Sequence, residues 1–382
     1  MRKGNVRIVV MGGLARSLVN FRGHLLKRLC AQGHDVIACA GDDDAGVRRQ
    51  LSAWGIRFRA VPLSRTGRNP LDELRVVRNL TQLLGELRPD VFLGYTVKPV
   101  IYGGWAAASA GVPRRLGLIT GLGSAFLPRD WKGRALRRVV VELYRSALAR
   151  YDRVIFQNPD DCEEFRSRRL VRDGQIARVH GTGIDLGEFP VATLLDDRPR
   201  FLMIARLLRE KGVAEYAKAA GIVKQAYPNA VCRLLGPPYE SPCAIPVEQV
   251  REWERTTGLE YVGETHDVRP FLSECNVYVL PSYREGVPRS TQEAMAMGRA
   301  VITTDVPGCR ETVIAGRNGL LVPSQDAGAL AEAMLQLAGH WDLRRRMGAE
   351  SRKLAEERFD VHRINDELVD LIVPSTVIRR VA

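Results

Sequence analysis

The sequence predicts an α/β protein built from two doubly wound domains of parallel sheet. Three observations lead there. Short apolar runs alternate with amphipathic helical patterns from end to end, the series starts afresh after residue 200, and Gly183 to Arg200 between them lacks a period. That stretch carries Pro190, Pro199 and a run of charges. Alternation of this kind builds βαβ units and a sheet covered on both faces. A chain of 382 residues, 45% hydrophobic, has material for two cores, because one core stops growing at roughly 250–300 residues.

The first series places strands at Val6–Met11, Asp35–Cys39, Phe58–Pro62, Val91–Leu93, Arg115–Ile119, Val154–Gln157 and Ile176–Val179. Helical stretches at Leu18–Cys30, Leu71–Leu87 and Leu136–Leu148 fall between them. The second series has strands at Phe201–Ala205, Ala230–Leu234, Val277–Leu280 and Ala300–Thr303. The expected division is a first domain over 1–183, a connection over 184–199 and a second domain over 200–358. An amphipathic closing segment over 359–382 is expected to pack back on the first. Two doubly wound domains so joined leave a cleft between the carboxyl ends of their sheets, where ligands of such folds bind.

The longest apolar stretch, Leu116 to Leu127, carries three glycines and falls short of the ~18–20 residues that span a bilayer. The run from Ile8 to Gly12 is too short for a signal h-region and reads as the first strand. The expected location is therefore the cytoplasm. Seven cysteines, widely spaced and without C-x-x-C, give neither a disulfide framework nor a zinc site. The net charge of +13 is uneven: residues 1–150 hold 26 Lys/Arg against 10 Asp/Glu, a surplus of 16, and the remainder is slightly acidic. A first domain carrying the whole excess points to a polyanionic partner: nucleic acid, an anionic membrane or a phosphate-bearing substrate.

The strongest chemical signal is Glu285-Gly-Val-Pro-Arg-Ser-Thr-Gln-Glu293, which follows a strand and opens a helix stopped by Gly298. Pro288 suits the first helical position, where its missing N–H costs nothing. A helix N-terminus beside a cleft presents free N–H groups and partial positive charge to a diphosphate. A carboxylate accepts two hydroxyl hydrogen bonds, which suits sugar rings. By composition alone, a solvated loop glutamate and a surface helix glutamate are the more economical reading. The second signal is Arg206 and Lys211, in the loop after the second domain's first strand. Two cations there neutralise a departing diphosphate, the arginine bidentately. Taken alone, this is an ordinary charged loop.

Together the two signals resemble the family-four retaining glycosyltransferases of the GT-B fold, two Rossmann-like domains facing across a cleft. There an E-x7-E motif and an Arg/Lys pair form the donor site. The likeness covers nearly the whole chain, including Gly12-Gly13, His180-Gly-Thr-Gly-Ile-Asp185 and Leu235-Gly236. Thr96-Val-Lys-Pro99, Ile101-Tyr102-Gly103 and Ile119-Thr-Gly-Leu-Gly-Ser-Ala-Phe126 look like bacterial members that extend polyprenyl-diphosphate-linked glycans. The resemblance implies a UDP-sugar donor, an N-acetylhexosamine as the transferred sugar, net retention, and neither cofactor nor metal. It assigns Gly13 to the donor phosphate, Arg206 and Lys211 to the diphosphate, Glu293 to the ribose, and Glu285, Gly286 and Val287 to the transferred sugar. Val262 and Glu264 would border the base, and Gly236 completes the donor site. Lys98, Thr120 and His24 are acceptor-site candidates. Many members carry a histidine near the place of Thr120, whereas none of the six histidines here lies between His34 and His180.

Asp42-Asp43-Asp44 is better read as a solvated turn than as a metal site. The stretch from Pro128 to Arg150 sets Arg129, Lys132, Arg134, Arg137, Arg138, Arg145 and Arg150 against Asp130 and Glu142, with apolar residues at helical spacing. Most of that apolar stripe reads as core, while the basic end near Trp131 suits an anionic membrane surface. Two other functions compete. A UDP-sugar 2-epimerase of similar fold needs acid/base groups at C2, and no histidine lies near Glu285 to supply them. A nucleic-acid binder fits the charge but lacks a helix-turn-helix or an aromatic-rich sheet.

Overall fold

The computed structural model describes residues 5–61, 63, 70–123, 126, 131–195 and 198–375. Of the residues singled out above, Pro62, Ser124, Ala125, Leu127, Pro128, Arg129 and Asp130 lie outside them, as does the side chain of Lys132. The chain forms two compact units, one of residues 1–182 with 361–382 and one of residues 183–360.

The first unit runs β1 (Arg7–Met11), α1 (Ala15–Ala31), β2 (Asp35–Ala40), α2 (Ala45–Ala53), β3 (Arg57–Ala60), α3 (Pro70–Leu87) and β4 (Val91–Tyr95). It continues with a π-helical turn (Pro99–Gly103), α4 (Gly104–Ser109), β5 (Arg114–Ile119), α5 (Trp131–Leu148), β6 (Arg153–Phe156), α6 (Pro159–Ser167) and β7 (Ile176–Arg178). Among the described residues it has seven parallel strands, in the order β3-β2-β1-β4-β5-β6-β7. Alternate residues of β1 show why the strand is apolar throughout. Ile8 and Val10 join one core with Leu18, Leu25 and Leu51, while Val9 and Met11 join another with Leu80, Leu84 and Tyr144. A strand buried on both faces has no polar side to show.

The second unit runs β8 (Arg200–Ile204), α7 (Val213–Ala226), β9 (Val231–Leu235), α8 (Val247–Thr257), β10 (Glu260–Gly263), α9 (Arg269–Glu274), β11 (Val277–Leu280) and α10 (Arg289–Ala296). β12 (Ala300–Thr304), β13 (Gly319–Val322), α11 (Ala327–Ala338) and α12 (Trp341–Arg358) complete it. Among the described residues it has six parallel strands, in the order β10-β9-β8-β11-β12-β13. The segment expected as a connection contributes to this unit's core, with Ile184 and Phe189 buried. Ile184 N bonds Phe359 O at 2.8 Å. The last helix, α13 (Val361–Ile372), belongs to the first unit and lays Ile364, Leu368, Val369 and Ile372 into the core that holds α1.

Three local expectations differ from the structure. Pro288 is the N-cap of α10, with Arg289 the first helical residue; Gly298 does end the helix, at φ +77°. The three aspartates are more than a solvated turn. Asp44 caps α2 by accepting from Gly46 N and Val47 N, and Asp42 accepts from Ala15 N at 2.6 Å, capping α1. Only Asp43 stays exposed, paired with Arg48. The apolar stripe of α5 is core over its second half alone. Tyr144, Ala147 and Leu148 are buried, but Leu136 is 44% and Val139 56% exposed, beside Trp131 at 67%. No helix among the described residues is long and apolar enough to cross a membrane.

Candidate active site

In an open parallel sheet, the crevice lies where neighbouring strands send their connections in opposite directions. In the second unit that point is between β8 and β11. The loop after β8 carries Arg206 and Lys211, and the loop after β11 carries Glu285. The two loops are locked to each other. A Cβ on Gly212, which sits at φ +75°, would stand 2.1 Å from Pro281 O. Tyr283 N bonds Glu210 O at 2.9 Å, and Tyr283 OH donates to Glu215 at 2.7 Å. Lys211 Nζ then forms an ion pair with Glu285, with the two side chains 18% and 14% exposed.

The backbone around Glu285 is clamped from the other side as well. Glu285 N donates to Pro307 O at 3.1 Å. A Cβ on Gly308, at φ +80°, would stand 2.3 Å from the carbonyl oxygens of both Glu285 and Gly286. The loop after β12 therefore has to present a glycine for the Glu285-Gly286 peptide to lie where it does. Val287 is buried, and Glu293 follows one helical turn into α10. Arg289 Nε bonds Glu293 Oε1 at 2.9 Å, and the Glu293 side chain is 12% exposed. Burial pushes the Glu293 carboxyl above the usual carboxylate range, and the Arg289 guanidinium draws it part of the way back. Ser290 Oγ shares a hydrogen bond of 2.6 Å with Tyr278 OH, pinning the first turn of α10 to β11.

Arg206 is exposed, with its guanidinium carbon 4.4 Å from the ring centre of Tyr239. Gly236 directly follows β9, with its N–H on Gly263 O at 2.7 Å and its carbonyl accepting from Tyr261 OH at 2.9 Å. Val262 and Glu264 are exposed at the end of β10. Lys211, Glu285 and the first turn of α10 are thus gathered at one switch point, with Arg206 leaving the neighbouring strand.

The first unit has its own switch point, between β1 and β4. Gly12-Gly13 follows β1, and a Cβ on Gly13 would meet Thr96 Oγ1, after β4, at 3.1 Å. Thr96 takes φ +67°, a left-handed conformation that a β-branched residue adopts only under constraint. Lys98 Nζ is held by Glu73 at 2.5 Å and lies 5.8 Å from the Tyr102 ring centre. Thr120 directly follows β5 and is partly exposed. His24 is not gathered with the glycine loop. It lies nine residues into α1, roughly 13 Å along the axis at 1.5 Å per residue, with its ring edge-on to His362 of α13 at 6.1 Å.

Sequence reasoning missed Arg289, Tyr239, Tyr283, Glu73 and the capping role of Asp42. Only Arg289 carried a local signal, its i,i+4 spacing from Glu293.

Two family models match the chain. "Glycosyl transferase 4-like domain" covers residues 19–182, and "Glycosyl transferases group 1" covers residues 188–354. Among curated proteins, the chain is 28% identical over 86% of its length to the N,N'-diacetylbacillosaminyl-diphospho-undecaprenol alpha-1,3-N-acetylgalactosaminyltransferase of Campylobacter jejuni, covering 88% of that protein. It is 28% identical to the putative colanic acid biosynthesis glycosyltransferase WcaL of Escherichia coli, over 76% of this chain and 72% of that one. Among solved structures, Anabaena HepE in complex with UDP and glucose superimposes with a TM-score of 0.77 at 18% identity, covering 96% of this chain and 99% of that one. The sucrose-phosphate synthase of Thermosynechococcus elongatus gives 0.76 at 20% identity, with 96% and 98% covered. With a glycosyl transferase 4-like domain on the first unit and a glycosyl transferases group 1 domain on the second, the chain is a glycosyltransferase of the GT-B fold.

Proposed function

We propose that this glycosyltransferase moves an N-acetylhexosamine from a UDP-sugar to a polyprenyl-diphosphate-linked saccharide, with retention, at an anionic membrane surface. The observation that carries the reading is the grouping of Lys211, Glu285 and the N-terminus of α10 at the second unit's switch point. A diphosphate leaving group gains charge as the glycosidic bond breaks. A lysine, an arginine and a helix N-terminus aimed at that charge favour the transition state over the ground state. In this reading Glu293 accepts ribose hydroxyls, and Glu285 with the Gly286 and Val287 backbone contacts the sugar. Gly13, Gly236, Val262 and Glu264 would complete the donor's surroundings. In this reading the donor's own phosphate takes the acceptor hydroxyl's proton, and the two cations with the helix N-terminus neutralise the leaving diphosphate, so no metal is required.

The acceptor side rests on the Campylobacter relative, whose name gives an undecaprenyl-diphosphate-linked substrate. Lys98 and Thr120, leaving β4 and β5 of the basic first unit, are the candidate acceptor contacts. The exposed face of α5, with Trp131, Leu136 and Val139 beside exposed Arg134 and Arg138, supports reversible docking on anionic headgroups from the cytoplasmic side. Both family models describe glycosyl transferases, which leaves the 2-epimerase without support. Neither model favours a nucleic-acid partner.

The test is a panel of UDP-sugars incubated with a polyprenyl-diphosphate-linked monosaccharide. The expected product is an extended saccharide with an α linkage, formed from a UDP-N-acetylhexosamine in the presence of EDTA. A β-linked product would refute retention, and interconversion of UDP-sugars without acceptor would restore the epimerase.

A further inference from the structure

We infer that Arg289 is a positioning residue for the nucleotide's ribose: it holds Glu293 as an oriented carboxylate beneath the donor site. The inference rests on the reading of Glu293 as the ribose contact and adds a residue that the two-glutamate motif does not name. Arg289 is the first residue of α10, and its Nε bonds Glu293 Oε1 at 2.9 Å. The bond occupies one oxygen and leaves Oε2 as the acceptor for a ribose hydroxyl.

Local helix physics does not account for an arginine at this position. A cation in the first turn opposes the positive end of the helix dipole. The order cation-then-carboxylate at i,i+4 is also the less favourable orientation of such a pair. What the arginine does accomplish is compensation of a carboxylate that is 12% exposed, since a buried charge without a partner is costly. Few other groups serve. Tyr278 on β11 faces Glu293 but is engaged with Ser290 and Ile204 O, and its phenol is pushed far up by burial. Glu285, in the preceding loop, is a like charge that also bears on Tyr278 and is paired with Lys211. Arg352 of α12 reaches α10 at its opposite end, on Ala296 O. Among the described residues, Arg289 is the positive neighbour that acts on Glu293, and it acts against the upward push of burial.

Without Arg289, protonation of Glu293 moves to higher pH and disables the ribose contact there. The test is UDP binding by calorimetry for the wild type, Arg289→Gln, Arg289→Lys and Glu293→Gln between about pH 6 and about pH 8.5, one unit of pKa corresponding to about tenfold. Thermal unfolding of each protein at the same pH values reports on the fold. The wild type run in parallel carries the protonation of the phosphate itself. The expected result for Arg289→Gln is affinity about tenfold below wild type near pH 6 that recovers to within about threefold near pH 8.5. Arg289→Lys should lie between, and Glu293→Gln should bind weakly without this added dependence. Loss in Arg289→Gln that is equal at every pH, or no loss at all, overturns the role of Arg289 alone. Wild-type affinity in Glu293→Gln removes the ribose assignment itself, and the inference with it.

Discussion

Replacing Glu285 with glutamine should make UDP bind more tightly while transfer collapses. In the free enzyme Lys211 is paired with Glu285, and both side chains are less than a fifth exposed. A diphosphate settling on Lys211 must share that ammonium with the carboxylate. A phosphate oxygen on the far side of the ammonium stands roughly 6 Å from the Glu285 charge, a repulsion of about 3 kcal/mol at an effective dielectric constant of about 20. Solvent at the open side and bridging by the lysine screen much of this, leaving about 1.4 kcal/mol, or about tenfold in Kd. The amide removes the repulsion and leaves Lys211 seeking an anion, so both effects act in one direction. Calorimetry with UDP reads the affinity, and single-turnover transfer from a UDP-sugar reads the chemistry. Unchanged or weaker UDP binding by a folded Glu285→Gln protein would refute the argument. It would mean that the ion pair is no competitor of the leaving group.

Three further outcomes follow from other parts of the structure. Gly308→Ala forces a Cβ against the carbonyls of Glu285 and Gly286 in a left-handed conformation, a strain of about 1–3 kcal/mol before any clash. It should lower Tm and reduce transfer, with UDP affinity less affected, as thermal unfolding and calorimetry on the same sample can check. Arg206→Ala and Lys211→Ala should each lower kcat by about 10²–10³-fold, and neither Mn²⁺ nor Mg²⁺ should be needed; activity abolished by EDTA and restored by either ion would contradict this. Leu136→Glu with Val139→Glu, on the exposed half of α5, should abolish sedimentation with anionic vesicles and slow transfer to a long-chain acceptor at unchanged UDP-sugar affinity. Vesicle binding equal to wild type would remove that face as the docking surface.

The strands at the middle of each sheet were legible because burial on both faces leaves a continuous apolar run, as in β1, β8 and β11. The edge strands β10 and β13 of the second sheet were not, although β3 and β7 at the edges of the first were. Only Tyr261 of Glu260–Gly263 is buried, and Leu320 and Leu321 of Gly319–Val322 are half-buried. Arg206, Lys211, Glu285 and Glu293 could be singled out as candidates only through the family resemblance, because on local grounds they read as a charged loop and solvated glutamates. Their supports could not be, since Tyr239 meets Arg206, and Glu73 meets Lys98, only through the tertiary fold. The cap of Asp42 on Ala15 spans 27 residues and leaves no local mark. The exposed half of α5 shows a related limit. Helical period identifies which side chains share a face, but not how far along the helix that face is covered.

The return of the chain to its first unit through α13 sets an order on biogenesis. The ribosome delivers residues 1–182 before the second unit exists, yet the core around α1 still awaits Ile364, Leu368, Val369 and Ile372. The second unit, contiguous from 183 to 360, is the first whose parts are all present. Until α13 arrives, the nascent first unit displays an apolar seat on α1 to any chaperone, membrane or neighbouring chain that can cover it. A fragment ending near residue 182 carries that seat permanently. Supplying residues 361–375 as a separate peptide should restore its solubility.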